Sequence, residues 1–375
     1  MNKMPIRVLH VITGMGSGGA ESFIMNMYRN IDRSKVQFDF MLRSRENIYE
    51  EEILALGGKI YYTASFPKHM IKNYMEVYSI LKKHTEYEII HVHGNALIYT
   101  NALLVAKKLG IPCRIMHSHN TKTRRKEYEL LHRFNKCFIK KLATDYFACS
   151  DEAGKWMFNS DYVIRKNAID LGKFSDAVEY RDEIRKQLGI SDRLVIGNIA
   201  RFLPAKNHKF LIQLFEMYND LHPESVLIMV GGGELEKKIK EQANCSKVSE
   251  KIFFLGIRDD IDLIMQAFDV FLLPSFHEGL PVVLVEAQAA GVPCVISDSI
   301  SKEIKITPLV KMVGLNESPL IWINCIEDMS KSKRFSKREI MDSLKMAGFD
   351  SMTEAKKLQD FYMEKIGSRN LEPSD

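Results

Sequence analysis

The sequence predicts an α/β protein made of two doubly wound, Rossmann-like domains, and three observations carry that reading. Short apolar, β-branched runs alternate with helical stretches along almost the whole chain. The runs form two series, the second restarting near residue 194 after the charged stretch 180–186. The first run leads straight into a glycine-rich loop, the usual entry to a doubly wound sheet. The first series comprises strands at 6–12, 37–42, 89–93, 113–117 and 146–148. The second comprises 194–199, 226–230, 252–255, 270–274 and 294–297. Runs apolar on both faces and interleaved with helices belong to parallel sheets. The expected division is 1–170, a linker at 170–190, and 190–350, with a final helix at 353–366 returning to the first domain. Its apolar residues Leu358, Phe361, Tyr362 and Ile366 lie near one face. Ligands of such sheets bind outside the carboxyl ends of the strands, so a central cleft between two facing domains is the expected site.

At 375 residues and 46% hydrophobic content the chain is long enough for two cores. Its formal charge is +5, unevenly spread. Residues 1–175 hold 27 Lys/Arg against 17 Asp/Glu, whereas 176–375 hold 26 against 31. The first half is therefore the better suited to an anionic partner, unless its lysines are only solvated surface. The cysteines at 113, 137, 149, 245, 294 and 325 form no CxxC pair and no zinc-like spacing. That usage fits reduced thiols and a cytoplasmic protein. The opening MNKMPIRVLHVI has too short an apolar run for a signal peptide. No stretch reaches the roughly 18 apolar residues of a spanning helix, which leaves a peripheral place on the inner face of the membrane open.

Gly14, Gly16 and Gly19 satisfy GxGxxG, a pattern that lets a backbone approach an anion. A dinucleotide enzyme would place an acidic residue after the second strand. Here that strand ends in Arg43-Ser44-Arg45, which would suit a 2′-phosphate. An NADP-dependent oxidoreductase is thus the alternative function, and a plain strand-to-helix turn the structural alternative.

The second series carries a fuller constellation. Its first strand ends in Arg201-Phe202-Leu203-Pro204-Ala205-Lys206-Asn207. The guanidinium fork and the mobile ammonium suit a diphosphate, or are two surface cations. Further on, FHEGLPVVLVEA places Glu278 in a loop and Glu286 about two turns into a helix opened by Gly279 and Pro281. Glu286 stands between Val285 and Ala287, where a buried carboxylate needs donors. Sugar hydroxyls would supply them, as would a neighbouring Lys or Arg.

The GGAE loop, the Arg-x4-Lys-Asn element and EGLPVVLVEA with its Glu-x7-Glu spacing together resemble family 4 retaining glycosyltransferases of the GT-B fold. RIMHSHN, YFACSDEAGKWMF, NAIDLGKF and the tail from Ser297 add to the likeness, which spans roughly residues 6–366 and is nearest the bacterial capsular and exopolysaccharide type. The resemblance implies transfer of a hexose-type sugar from a nucleotide diphosphate, with UDP the expected carrier, to a glycan or lipid-diphosphate-linked saccharide. It implies that Arg201 and Lys206 hold the diphosphate and that Glu278 meets the sugar hydroxyls. Glu286 would accept from the ribose, and amides near Gly279 and Leu280 would face the sugar–phosphate. Gly18 and Gly19 would approach the diphosphate, and the base would rest near Gly256 and Ile257. His119, in HSHN, matches the family histidine beside the reacting sugar; His117 on the same face is the second choice, and either could be a structural hydrogen-bonder. An inactive glycosyltransferase-like partner protein is a further alternative.

No metal is expected. Asp260-Ile261-Asp262 is a DxD triplet, but it opens a helix, where an aspartate caps free amides. The stretch 121–142 is basic and carries Leu130, Leu131, Phe134, Phe138 and Leu142. It reads as a helix packed on its domain. Its leading cluster Lys122, Arg124, Arg125 and Lys126 remains for a lipid diphosphate or an anionic bilayer. Nucleic acid is not expected, because the cations lack interleaved aromatics.

Overall fold

The computed structural model describes residues 4–16, 18–121, 123, 126–332 and 336–367. It contains two compact units, Met1–Ala168 with Ser351–Asp375, and Ile169–Asp350.

The first unit is built on β1 (Ile6–Ile12), β2 (Val36–Leu42), β3 (Ile60–Tyr62), β4 (Tyr87–Gly94), β5 (Cys113–Ser118), β6 (Asp145–Ala148) and β7 (Val163–Ile164). They form one parallel sheet in the order β3-β2-β1-β4-β5-β6-β7. The order reverses between β1 and β4, which is where such sheets open a ligand crevice. All seven residues of β2 are buried, as expected of a strand covered on both faces. One cover is the helix Gly19–Asn30, whose Phe23 and Tyr28 share a core cluster with Ala355, Leu358 and Tyr362 of the helix Ser351–Gly367. The last helix therefore packs on this unit, with Gln359 accepting from the amide of Asp32 at 2.9 Å.

The second unit holds β8 (Leu194–Ile199), β9 (Ser225–Val230), β10 (Ile252–Gly256), β11 (Val270–Leu273), β12 (Cys294–Ser297) and β13 (Val310–Val313). Their order is β10-β9-β8-β11-β12-β13, all parallel, with the reversal between β8 and β11.

Two expectations change. The short strands β3, β7 and β13 were not expected; runs of two to four residues, such as the edge segment VKMV with its exposed lysine, carry too little apolar alternation to register. Residues 170–190 are not a bare linker. They form the helices Leu171–Asp176 and Arg181–Gln187 with a 3-10 turn between. Leu171, Phe174, Ile184 and Ile190 are buried in the second core, and Arg181 and Arg185 both grip Asp269. The charges that suggested a solvated linker are in part anchors. Among the described residues no helix is long and apolar enough to cross a membrane, and all six cysteines are free.

Candidate functional site

In the second unit the expected donor residues gather at the carboxyl ends of the two strands flanking the reversal. After β8 the chain makes a 3-10 turn, Pro204–Lys206, and Asn207 takes the left-handed conformation (φ 55°) before the helix His208–Leu221. Asparagine tolerates that backbone, which explains Asn at this position. After β11, Phe276 donates its amide to the carbonyl of Ala205 at 2.8 Å, tying the two loops together. The tie brings Lys206 Nζ against Glu278 Oε1 as an ion pair, both side chains being 16% exposed. Lys206 and Glu278, expected to serve diphosphate and sugar, also pair with each other. Arg201 is exposed, and its guanidinium has no hydrogen-bond or ion-pair partner among the described residues.

Glu286 lies in the helix Val282–Ala289, which Pro281 opens. Propensity would make VVLVE a strand; the loop before it and the packing of Leu284, Val285 and Ala287 into the core make it helical. Its carboxyl has no hydrogen-bond partner among the described residues. Burial pushes it up to about 7, helped by Asp262 and opposed by Lys173. The lysine that would neutralise it is paired with Asp262 at 2.9 Å. A carboxyl kept from its ordinary charge and left unpaired is poised for donors from a ligand.

Gly256 has φ +67° and nothing within 4 Å of the place a side chain would occupy, and Ile257 beside it is 83% exposed. The surface at Gly256 and Ile257 is thus open and apolar. Gly279 likewise has open space around it, and Leu280 is half-buried. The DxD triplet needs correction. Asp260 stands at the N-cap of Ile261–Gln266 but makes no cap hydrogen bond. It pairs with Arg258 at 2.6 Å, because that guanidinium is two residues away.

In the first unit, β1, β4 and β5 bring five histidines to one face of the sheet. Register sets His10 beside His91 and His93 beside His117, and His119 follows at the end of β5. His119 Nε2 lies 2.9 Å from His93 Nδ1, and His93 Nε2 lies 2.9 Å from His10 Nδ1. A second line runs from Tyr362 Oη to His91 Nδ1 (2.7 Å) and from His91 Nε2 to His117 Nδ1 (3.2 Å). Burial holds all five imidazoles neutral, His10 and His119 down to about 3. His117 is fully buried, whereas His119 keeps some exposure, although its Nε2 meets His93 and its Nδ1 is buried without a partner among the described residues. His10, His91, His93 and Tyr362 were missed from sequence. The signal was present in IIHVHG and MHSHN, since residues two apart on a strand share a face.

The glycine loop serves the protein itself. A side chain at Gly14 would meet the carbonyl of Glu46 at 2.8 Å, and one at Gly16 the Glu46 carboxylate at 2.6 Å. Met15 donates to that same carbonyl at 2.8 Å. Gly18 caps Gly19–Asn30 beside the carboxylate of Glu21, whose acid strength falls through burial and the nearby Glu46. The Asn167 amide stands 3.2 Å from the place a Gly19 side chain would take. Gly14, Gly16 and Gly18 thus leave room for Glu46 and Glu21, a packing role that the plain strand-to-helix turn already allowed.

Lys122, Arg124, Arg125 and the side chain of Lys126 lie outside the described residues. The helix Lys126–Leu142 that follows departs from expectation. His132 and Ile139 face inward, but Leu130 (76%), Phe134 (62%) and Phe138 (42%) form an exposed apolar stripe at four-residue spacing.

Two doubly wound units, one with a cationic crevice and an unpaired carboxyl, the other with a histidine at its carboxyl edge, define a GT-B glycosyltransferase. The comparisons specify the family. Residues 17–169 match the model described as Glycosyltransferase Family 4, and residues 180–305 match Glycosyl transferases group 1. The putative glycosyltransferase EpsF of Bacillus subtilis (strain 168) is 36% identical over 380 residues, 96% of this chain and 97% of that protein. The chain therefore belongs to the family 4 glycosyltransferases, and it is an enzyme of that transferase class. An oxidoreductase and an inactive partner are set aside. The UDP-Gal:alpha-D-GlcNAc-diphosphoundecaprenol alpha-1,3-galactosyltransferase of Escherichia coli is 31% identical over 243 residues, 61% of this chain and 62% of that one. In fold, the chain matches the Anabaena HepE structure in complex with UDP at a TM-score of 0.76 and 19% identity, covering 96% of this chain and 100% of that one.

Proposed function

We propose that this glycosyltransferase moves a hexose from a UDP-sugar, with retention at the anomeric carbon, onto a lipid-diphosphate-linked saccharide in polysaccharide assembly. The observation that carries the donor half is the crevice after β8 and β11: Arg201 unpaired, Lys206 held by Glu278, and Glu286 unpaired. UDP accompanies the HepE fold match, and a diphosphate-linked acceptor appears in the name of the Escherichia coli relative.

In this reading Arg201 and Lys206 take the diphosphate, which releases Glu278 to accept from the sugar hydroxyls. Glu286 accepts from the ribose, the base lies on Gly256 and Ile257, and amides at Gly279 and Leu280 face the sugar–phosphate. The bond from the anomeric carbon to the diphosphate oxygen breaks and the acceptor oxygen bonds on the same face. The acceptor proton passes to the departing phosphate. Charge grows on that oxygen, and once the donor has drawn Lys206 from Glu278 the two cations lower the barrier by stabilising that charge. With two side-chain cations for the leaving group, the reaction needs no metal. Gly18 and Gly19 contribute backbone at the carboxyl edge of the first unit, and His119, neutral at working pH, meets the transferred sugar.

The acceptor reading places the enzyme at the inner membrane face. The stripe Leu130, Phe134 and Phe138, following the cations 122–126, favours shallow insertion among anionic lipids.

The test is a panel of nucleotide sugars with a diphosphate-lipid saccharide. UDP release is followed by mass, and the product's anomeric configuration by NMR. Inversion, or turnover only with another nucleotide, overturns the corresponding part.

A further inference from the structure

The arginines after β2 have no role in the donor reading. Arg43, Ser44 and Arg45, with Tyr62, Thr63, Ala64, Lys72 and Glu76, line an open hollow of about 250 Å³ at the carboxyl ends of β2 and β3. Arg43 is held in place: its Cζ stacks 3.8 Å from the Tyr99 ring centre and its Nη2 donates to Thr13 Oγ1 at 2.9 Å. Thr13 begins the loop after β1, so the hollow shares the carboxyl edge on which His119 stands.

The guanidinium has no carboxylate partner among the described residues, and its Nε is buried without a hydrogen bond. Burial depresses its basicity, with only Tyr99 opposing. A cation withdrawn from water normally has an anion beside it. Arg45 stacks 4.1 Å from the Tyr62 ring and makes no ion pair, so it is also uncommitted. The one lining carboxylate, Glu76, accepts from the Ala64 amide at 2.6 Å and lies 3.9 Å from Lys72. Three cations against one engaged carboxylate leave an excess positive charge. Stacking occupies a face of each guanidinium group. Nη2 of Arg43 is taken by Thr13, which leaves its Nη1 without a partner among the described residues, and the exposed Arg45 keeps its N–H groups for phosphate oxygens.

We infer that this hollow binds the diphosphate of the acceptor, a site separate from the donor crevice. The inference rests on the proposed diphosphate-linked acceptor. Arg43 is the anchor, and Arg45 and Lys72 close on the anion from the rim.

The experiment titrates inorganic pyrophosphate calorimetrically into the full chain saturated with UDP, which fills the donor crevice. Arg43→Gln should weaken pyrophosphate about tenfold or more, as loss of a charge-assisted contact requires. The double variant Arg45→Gln/Lys72→Gln, confined to exposed side chains, should weaken it several-fold and decides the matter should Arg43→Gln not fold. In kinetics both variants should raise KM for a diphosphate-lipid saccharide and leave KM for the same saccharide as a phosphate-free glycoside unchanged. Unaltered pyrophosphate affinity in the folded variants overturns the site. So does an equal rise in both KM values, or displacement of pyrophosphate by glucuronate at equal concentration. If no diphosphate-linked saccharide accepts sugar from the wild type, yet pyrophosphate binding still depends on Arg43, the acceptor reading has failed and the anion site stands.

Discussion

His93 Nδ1 lies 2.9 Å from His119 Nε2, while the other nitrogen of His93 meets His10 at the same distance. Neutral imidazoles in such a line must all point their N–H groups the same way. The tautomer of His119 is therefore decided together with that of the buried His93. His93→Leu should lower kcat about tenfold, ~1.4 kcal/mol of barrier, with donor KM unchanged. His93→Gln, whose amide both donates through its NH₂ and accepts through its carbonyl oxygen, should recover much of the loss. Equal activity of the two variants at equal thermal stability would remove the positioning role.

The same burial makes stability acid-sensitive. His10, His91, His93 and His117 are fully buried and their folded pKa values are depressed below 6.5. Below about 6.5 the unfolded chain takes up protons that the folded chain refuses, so stability falls as pH drops through that value. Each histidine contributes up to ~1.4 kcal/mol per pH unit. Urea midpoints between pH 5 and 7 should decline steeply, and His10→Phe should flatten the slope by about one proton. A flat wild-type profile would contradict the neutral, buried cluster.

Lys206 and Glu278 should behave as a coupled pair in the free enzyme. A double-mutant cycle with Lys206→Met and Glu278→Gln, read by chemical denaturation, should return a coupling of about 1–3 kcal/mol. Both single variants should also weaken UDP-sugar binding, since each residue has a ligand partner in the proposed complex. Additive stability effects would mean that the pair does not form.

Glu286→Ala should leave the fold intact and weaken nucleotide-sugar binding by roughly 1.5–3 kcal/mol per lost hydrogen bond. The carboxyl sits near 7 rather than in the ordinary range. Donor affinity should therefore rise with pH up to about 7 as the carboxylate forms, and Glu286→Gln should abolish that rise. A raised folded pKa in an acid destabilises the fold as pH climbs above the unfolded value. Glu286→Gln should accordingly have a higher Tm than wild type at pH 8. Calorimetry and thermal melts read both effects, and unchanged donor affinity in Glu286→Ala excludes the ribose role.

Turnover should persist in excess EDTA, because Arg201 and Lys206 supply the positive charge. Loss of activity restored by Mg²⁺ or Mn²⁺ would sink this and return attention to Asp260 and Asp262.

Co-sedimentation with anionic vesicles should depend on two features. Phe134→Ser/Phe138→Ser removes exposed apolar area, and charge reversal of Lys122, Arg124, Arg125 and Lys126 removes about 1 kcal/mol of surface attraction per cation, screened by salt. Donor hydrolysis should survive both. Sedimentation like wild type would reduce this face to a solvated helix.

Local chemistry made much of this protein legible. Apolar β-branched runs in two series specified two parallel sheets, because a strand covered on both faces must be apolar throughout. Arg201, Lys206 and Glu278 could be picked out at strand ends and Glu286 as a carboxylate among apolar neighbours, and the family resemblance joined them into one site. Their relations were not legible. That Lys206 answers Glu278, that Lys173 turns to Asp262 and leaves Glu286 unpaired, and that Asp260 is held by Arg258 all depend on loops from separate strands meeting. The glycine pattern left a dinucleotide loop and a plain turn both open, and that Glu46, about thirty residues on, fills the space at Gly14 and Gly16 appears only in the fold. Histidines at 10, 91, 93, 117 and 119 became one network only when β1, β4 and β5 paired in register, and an unpaired Arg43 became a site only when β3 closed the hollow around it. Periodicity and residue type act along the chain and survive in one dimension. Pairing and desolvation act between distant segments, and they exist only once the chain has folded.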